Sequence, residues 1–205
     1  GRIPGSTDEV QAEAVETLAA KARAPFGQAD ALAVICAGGG GYGDPILRNP
    51  ALVLRDVGAG LVGLEAAKTS YGVVLHSNGG ELVVDEEATA ARRDVIRRER
   101  LGQSGSSPLA GLRQPSGAIS LEREKGVVAI SCDRCGERLA EGTADVKSVV
   151  PAREVGIETL SRWNAYGLVN EVVAREFCCP RCAHMLAVEV RLKGDKPLHD
   201  VELAD

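Results

Sequence analysis

Two short stretches decide how this chain is read: Cys132-Asp-Arg-Cys135-Gly-Glu-Arg-Leu139 and Cys179-Pro-Arg-Cys182-Ala-His-Met-Leu186. Both follow the frame C-x-R-C-(G/A)-x-x-L. A CxxC turn sets two thiolates on one side of a tight loop. The small residue after the second cysteine lets backbone N–H groups approach sulfur. Two such knuckles supply four thiolates, the tetrahedral set that structural Zn²⁺ takes. The expectation is one zinc held by Cys132, Cys135, Cys179 and Cys182, with Leu139 and Leu186 packed beneath it. Four thiolates leave no open coordination position, so the metal is expected to be structural, not catalytic. Soft sulfur ligands favour zinc over hard cations.

Other readings of the same cysteines stay open at this point. Cys178 adjoins Cys179 and is able to replace it, although the CxxC spacing favours Cys179 and makes Cys178 a small buried strand residue. His184 is near enough in sequence to stand in for one cysteine. A redox CxxC normally opens a helix in a βαβ unit, but Ala187–Leu192 reads as a strand. Cys36 stands alone. With no secretion signal opening the chain, clustered CxxC pairs read as metal ligands in a reducing compartment, hence a cytoplasmic location.

Outward from the knuckles, Val127–Ile130 reads as a strand leading into the first. The span Val155–Glu176 between them carries Trp163 and Tyr166 as core or interface aromatics. Residues 102–118, GQSGSSPLAGLRQPSGA, are mostly Gly, Ser and Pro; such a segment buries too little apolar surface to order itself and reads as a flexible linker. It divides the chain into 1–101, a linker 102–118 and a cysteine module 119–205. Before it, Ser6 and Glu9 have capping-box spacing and open a helix to about Arg23, ended by Pro25 and Gly27. Ala31–Cys36 reads as a buried strand feeding the glycine run Gly38–Gly43. Asn49-Pro50 opens a helix over about 50–58. Gly63 precedes a second, Leu64–Tyr71, closed by Gly72. Val73–Leu75 and Glu81–Val84 flank Asn78-Gly79-Gly80 as a hairpin. Asp85 caps a helix to about Leu101, whose Arg92, Arg93, Arg97, Arg98 and Arg100 read as a solvated face. The fold class is therefore α+β: a small mixed segment with short helices, a linker, and a zinc-ribbon-like β module.

Composition narrows the function. The 205 residues are 44% hydrophobic with a formal net charge of −5, and only one Trp, three Tyr and two Phe are present. That argues against a nucleic-acid groove and against a base-stacking platform. The longest apolar run, Ala31–Ala37, falls well short of the roughly twenty residues of a membrane span. Gly38, Gly40 and Gly43 formally fit G-x-G-x-x-G, but Asp44-Pro45 and Asn49-Pro50 interrupt the long helix that a dinucleotide site requires. No G-K-[ST] follows, so no P-loop is present on this stretch. His76, His184 and His199 are isolated and read as surface or turn residues, and no nucleophile–base set or paired-carboxylate motif stands out. Catalytic residues are unknown. The chain starts Gly1-Arg2 and its single methionine is Met185, so it is expected to be a piece of a longer polypeptide.

The run Gly38-Gly-Gly-Gly-Tyr-Gly-Asp-Pro45, with Arg48-Asn-Pro50, Val53-Leu-Arg-Asp-Val57, Gly60-Leu-Val62, Glu65-Ala-Ala67, Tyr71-Gly-Val-Val-Leu75 and Val84-Asp-Glu-Glu-Ala-Thr89, resembles the C-terminal end of the hydantoinase B/oxoprolinase family. The resemblance covers about 31–100; Gly63 departs from it where a serine often caps the helix. From Ile130 to Leu203 the two knuckles, Arg175-Glu-Phe177 and Leu198-His-Asp200-Val are similar to the small zinc-containing gamma subunit of acetone carboxylase and to acetophenone carboxylase components. These resemblances imply a hydantoinase-B-type chain with a zinc module fused at its end. They imply partners too: the remaining hydantoinase-B-like body and a hydantoinase-A-like subunit that uses ATP, so ATP enters only through the partner. The family's enzymes carboxylate ketones or open cyclic amides, and their catalytic residues lie in earlier parts of the large chain, with none mapping here. The gamma-like module favours ketone carboxylation. The first reading is therefore a component of such an enzyme, its C-terminal part or a small subunit, with a role in assembling the complex; the alternative is a free-standing zinc-ribbon adaptor that binds protein or nucleic acid, and the acidic balance and the hydantoinase-B resemblance favour the first.

Overall fold

The structure, a computed structural model, describes residues 14–16, 18, 21–28, 30–32, 41–102, 112–156 and 171–199. The chain forms two compact units, Gly1–Gly41 and Tyr42–Asp205. In the first, the described part of the helix expected up to Arg23 is not helical, including Ala14–Glu16 and Leu18. Val15 is exposed, and a short helix that buries no apolar stripe is marginal in water. The rest of that helix, Cys36 and most of the strand expected at 31–36 lie outside the described residues; Ala31 and Leu32 are not in a strand.

The second unit is a mixed α/β assembly of short helices and small antiparallel sheets. Its first part follows local signals closely. Asp44 accepts from the Ile46 amide (3.2 Å) and starts a single 3-10 turn, Pro45–Leu47. Asn49 Oδ1 accepts from Ala51 N at 2.9 Å and caps α1 (Pro50–Gly58), with proline at its first position. Helix α2 runs Leu64–Thr69, two residues shorter than expected, and Gly63 offers it no side-chain cap. Strands β1 (Leu75–Asn78) and β2 (Glu81–Val84) pair as a hairpin, but the first strand begins at Leu75 instead of covering Val73–Leu75 and takes in Asn78, which pairs with Glu81; Gly79 and Gly80 are both at positive φ as a tight two-residue turn requires. Asp85 Oδ1 accepts from Ala88 N and opens α3 (Glu86–Leu101), and Gly102 closes it in the left-handed conformation. Val53, Ala67 and Val73 form the core here, walled by Val57, Val62, Tyr71, Leu75 and Val84. Each buried valine contributes roughly 1.5–3 kcal/mol.

The second part holds two three-stranded antiparallel sheets. One has the order β3 (Ile119–Glu124), β4 (Val127–Cys132), β5 (Arg138–Glu141). A short helix, α4 (Val146–Val149), leads to the other, ordered β6 (Ala152–Gly156), β7 (Val172–Cys178), β8 (Met185–Leu192). Opposite charges face each other across β6 and β7: Arg153 pairs with Glu176 and Glu154 with Arg175, each in direct register. Lys147 of α4 meets Glu189 of β8 at 3.2 Å, both buried. Trp163 and Tyr166 lie outside the described residues, as does 103–111 of the expected linker. Residues 112–118 are irregular and are fastened to the first knuckle: Asp133 accepts from Ser116 N (2.6 Å) and Gly117 N (2.9 Å), and Arg113 N donates to Arg134 O. Among the described residues, no helix is long and apolar enough to cross a membrane.

Candidate metal centre

The two knuckles are built alike. In each, the middle strand of a sheet runs to the first cysteine, and the strand pairing slips one step before it, at Ile130/Ser131 and at Phe177/Cys178. Each turn then closes with the same two backbone bonds. Gly136 N donates to Cys132 O and Cys132 N to Glu137 O; Ala183 N donates to Cys179 O and Cys179 N to His184 O, all at 2.8–2.9 Å. The residue after the second cysteine takes positive φ in both, Gly136 at 73° and Ala183 at 54°. This is why the frame has a small residue there: glycine adopts that conformation freely, whereas alanine does so at a cost of about 1 kcal/mol.

Sequences about fifty residues apart thus deliver four sulfurs to one place. The sulfur atoms of Cys132, Cys135, Cys179 and Cys182 all lie within 4.8 Å of one another. Cys132 Sγ is 3.7 Å from Cys182 Sγ and Cys135 Sγ is 3.6 Å from Cys179 Sγ. A tetrahedral ion with metal–sulfur bonds of about 2.3 Å sets its sulfurs about 3.8 Å apart, so the spacing suits a Cys₄ site. Three of the cysteines are buried and Cys135 is partly so, and Leu139 and Leu186 pack against them as the frame implied. Leu112, from the expected linker, joins the same apolar wall.

Crowding splits the acidities of Cys132, Cys179 and Cys182. Hydrogen bonds from Cys179 and Cys182 pull Cys132 far down, towards thiolate. The same contact with Cys132 pushes Cys179 up to about 12 and pushes Cys182 up as well. Such a shared-proton set is what a divalent cation displaces on binding. Cys178 stands outside the four: it ends β7, and burial pushes its thiol up to about 11. That matches the strand-residue reading of its role.

His184 corrects the sequence reading. It was expected on the surface or in a turn, with ligation as the other option, but it is 2% exposed. Its ring nitrogens sit 3.4 Å from Asp44 Oδ2 and 3.4 Å from Gly117 O. Arg100, expected on a solvated face, is buried as well. Its guanidinium grips Asp44 with two bonds, 2.8 and 3.0 Å, and donates to Ala183 O at 3.1 Å. Asp44 also accepts from Met185 N at 3.0 Å. Burial opposes the Asp44 charge, but the hydrogen bonds from His184 and Arg100 and the Arg100 charge outweigh it and hold the carboxyl well below the usual carboxylate range. The turn at Asp44 and the end of α3 are thereby bonded to the backbone directly after Cys182. One signal for Arg100 was present: Thr89, Ile96 and Arg100 share the buried face of α3 at helical spacing. Tyr42, by contrast, is 90% exposed and donates to Ser116 O at 3.0 Å. His76 and His199 are exposed, as expected. Of the glycine run, Gly41 and Gly43 take positive φ, and 38–40 lie outside the described residues.

No protein-family model matches the chain. Two curated proteins are similar to part of it. Caprolactamase subunit beta of Pseudomonas jessenii is 54% identical over 56 residues, 27% of this chain. The acetone carboxylase alpha subunit of Xanthobacter autotrophicus is 44% identical over 68 residues, 33% of this chain. In each case the match spans 9% of the relative. Part of this chain is therefore related to subunits of a caprolactamase and of an acetone carboxylase. Both names are those of components of larger assemblies.

Proposed function

We propose that this chain is the C-terminal part of a hydantoinase-B-type subunit of an ATP-dependent ketone carboxylase, of the acetone or acetophenone carboxylase type, or of a related cyclic-amide hydrolase. The observation that carries this reading is the 54% and 44% identity to subunits of a caprolactamase and of an acetone carboxylase. In this reading the four cysteines hold one structural Zn²⁺. The donor set is all thiolate, its sulfur spacing suits the ion, and four sulfurs complete the coordination. When bound, the ion supplies a cross-link between the two sheets and no reactive position. The role of the chain in this reading is assembly of the complex, on a scaffold in which the knuckles join the two sheets and Asp44, Arg100 and His184 fasten the helical part to the second knuckle. ATP is used by a hydantoinase-A-like partner, and the similarity of the cysteine module to a carboxylase gamma subunit belongs to the same proposal.

The test is co-expression of this chain, joined to a hydantoinase-B body, with a hydantoinase-A-like subunit. The expected outcome is one stable hetero-oligomer with ATP-dependent bicarbonate fixation on a ketone, or ATP-dependent opening of a lactam or hydantoin. Recovery of the chain with nucleic acid and without the large subunits overturns the reading in favour of a free-standing adaptor.

A further inference from the structure

The two knuckles carry an arginine at the same place in the frame, and the fold treats the two in opposite ways. Arg181 is half exposed and reaches across to Glu137 (3.9 Å) and to the carbonyl of Cys135 (3.4 Å). Arg134, between Cys132 and Cys135, is 6% exposed, and its Nε and Nη1 are buried with no hydrogen-bond partner among the described residues. A buried guanidinium with unpaired donors is costly, so its place in the fold needs a compensating negative charge. Arg97 makes the need greater, because its charge repels Arg134 and its own Nε is buried and unpaired. Asp44 is already committed to Arg100, Met185 N and His184. Asp133 is taken by Ser116 and Gly117. Arg134 stands between Cys132 and Cys135 in the first knuckle, and the other acidic groups that act favourably on its charge are the cysteines of the cluster, Cys182 and Cys132.

The charge balance of the site points the same way. When a divalent ion binds, the thiols release their protons to solvent, and four thiolates around a 2+ ion leave a net charge of −2 in a buried place. We infer that Arg134 is the counter-charge of the metal–thiolate centre, a positioning residue whose buried, unpaired guanidinium, carried between two of the four ligands in the first knuckle, offsets part of that −2. The inference rests on the metal reading proposed above. A small-anion site around Arg93 and Arg97 is the competing use of these cations. The cavity along α3 that those two line also contains Glu86 and Asp94, which repel an anion, and Arg97 is paired with Asp94.

The test is metal titration of the 205-residue chain, prepared metal-free under reducing conditions, first with Co²⁺ and then with Zn²⁺ against a competing chelator. The wild-type chain is expected to take one Co²⁺ with the absorption of a tetrahedral thiolate site. Arg134→Met is expected to keep that spectrum and to bind Zn²⁺ roughly tenfold to a hundredfold more weakly, whereas Arg134→Lys keeps most of the affinity. Equal affinity of the Met variant and wild type overturns the inference while leaving the metal site standing. A Lys variant as weak as the Met variant also overturns it, by assigning the effect to packing. Should Arg134→Met fail to fold, Arg134→Gln against Arg134→Lys makes the same comparison. A wild-type chain that binds neither ion removes the metal reading itself and this inference with it.

Discussion

Asp44→Ala is the substitution that most directly probes how the helical part is held to the second knuckle. The wild-type carboxylate is fully buried and meets an equally buried Arg100 through two bonds, 2.8 and 3.0 Å. Truncation leaves the guanidinium without its counter-charge, and breaking a buried pair in this way costs about 3–5 kcal/mol. The Met185 amide and the cap on Ile46 lose their acceptor as well. Denaturant unfolding of the zinc-loaded chain, followed by circular dichroism, measures the loss. Arg100→Met provides the second side of a double-mutant cycle. Most of the penalty is an unpaired charge, so the double variant is expected to lose clearly less than the sum of the singles, with a coupling of about 2 kcal/mol. A loss below about 1 kcal/mol for Asp44→Ala, or strict additivity, refutes the reasoning. The same pair has a pH signature. The folded carboxyl titrates below its unfolded value of about 3.9. Its contribution is thus complete above about pH 4, declines as the pH falls below that, and is gone once the pH is below the folded value. Asp44→Asn should flatten that acid limb relative to wild type, and loss of metal by protonation of the cysteines is common to both proteins.

Two further outcomes follow from the site and from the core. Cys135→Ser is expected to reduce bound zinc from one per chain to none, measured by metal analysis, and to abolish cooperative unfolding of the module from 112 to 199, since structural zinc supplies on the order of 10 kcal/mol of folding energy; a full zinc complement in that variant refutes the ligand assignment. Gly72→Ala places a methyl group 2.7 Å from Arg93 Cγ and 3.1 Å from Ile96 Cδ1 at a φ of +63°, so it should destabilise by about 2–3 kcal/mol in denaturant unfolding. Gly80→Ala, with positive φ and open space around its Cβ, should lose only about 1 kcal/mol. Equal losses for the two refute the steric part of the argument.

What the sequence determined by itself was local or repeated. Asn49-Pro50, Asp85, Gly102 and Gly79-Gly80 each satisfy or turn the backbone within a few residues, so α1, α3 and the hairpin were readable from them. The cysteine frame was readable for a related reason: a CxxC turn is a local structure, and its repetition told that two such turns belong together. The tertiary structure alone decided what depends on partners distant in sequence. Ile119–Glu124 is a strand because it pairs with Val127–Cys132, though three of its six residues are charged. His184 and Arg100 looked like surface residues because nothing near them in sequence is their partner; Asp44, 56 positions before Arg100, is what makes their burial tolerable. The two frame arginines differ for the same reason. Arg134 and Arg181 stand in identical local sequence frames, and only the tertiary structure leaves one half exposed and buries the other. A side chain's local preferences are written into its neighbours in sequence, whereas the dielectric and the counter-charge it meets are set by neighbours in space.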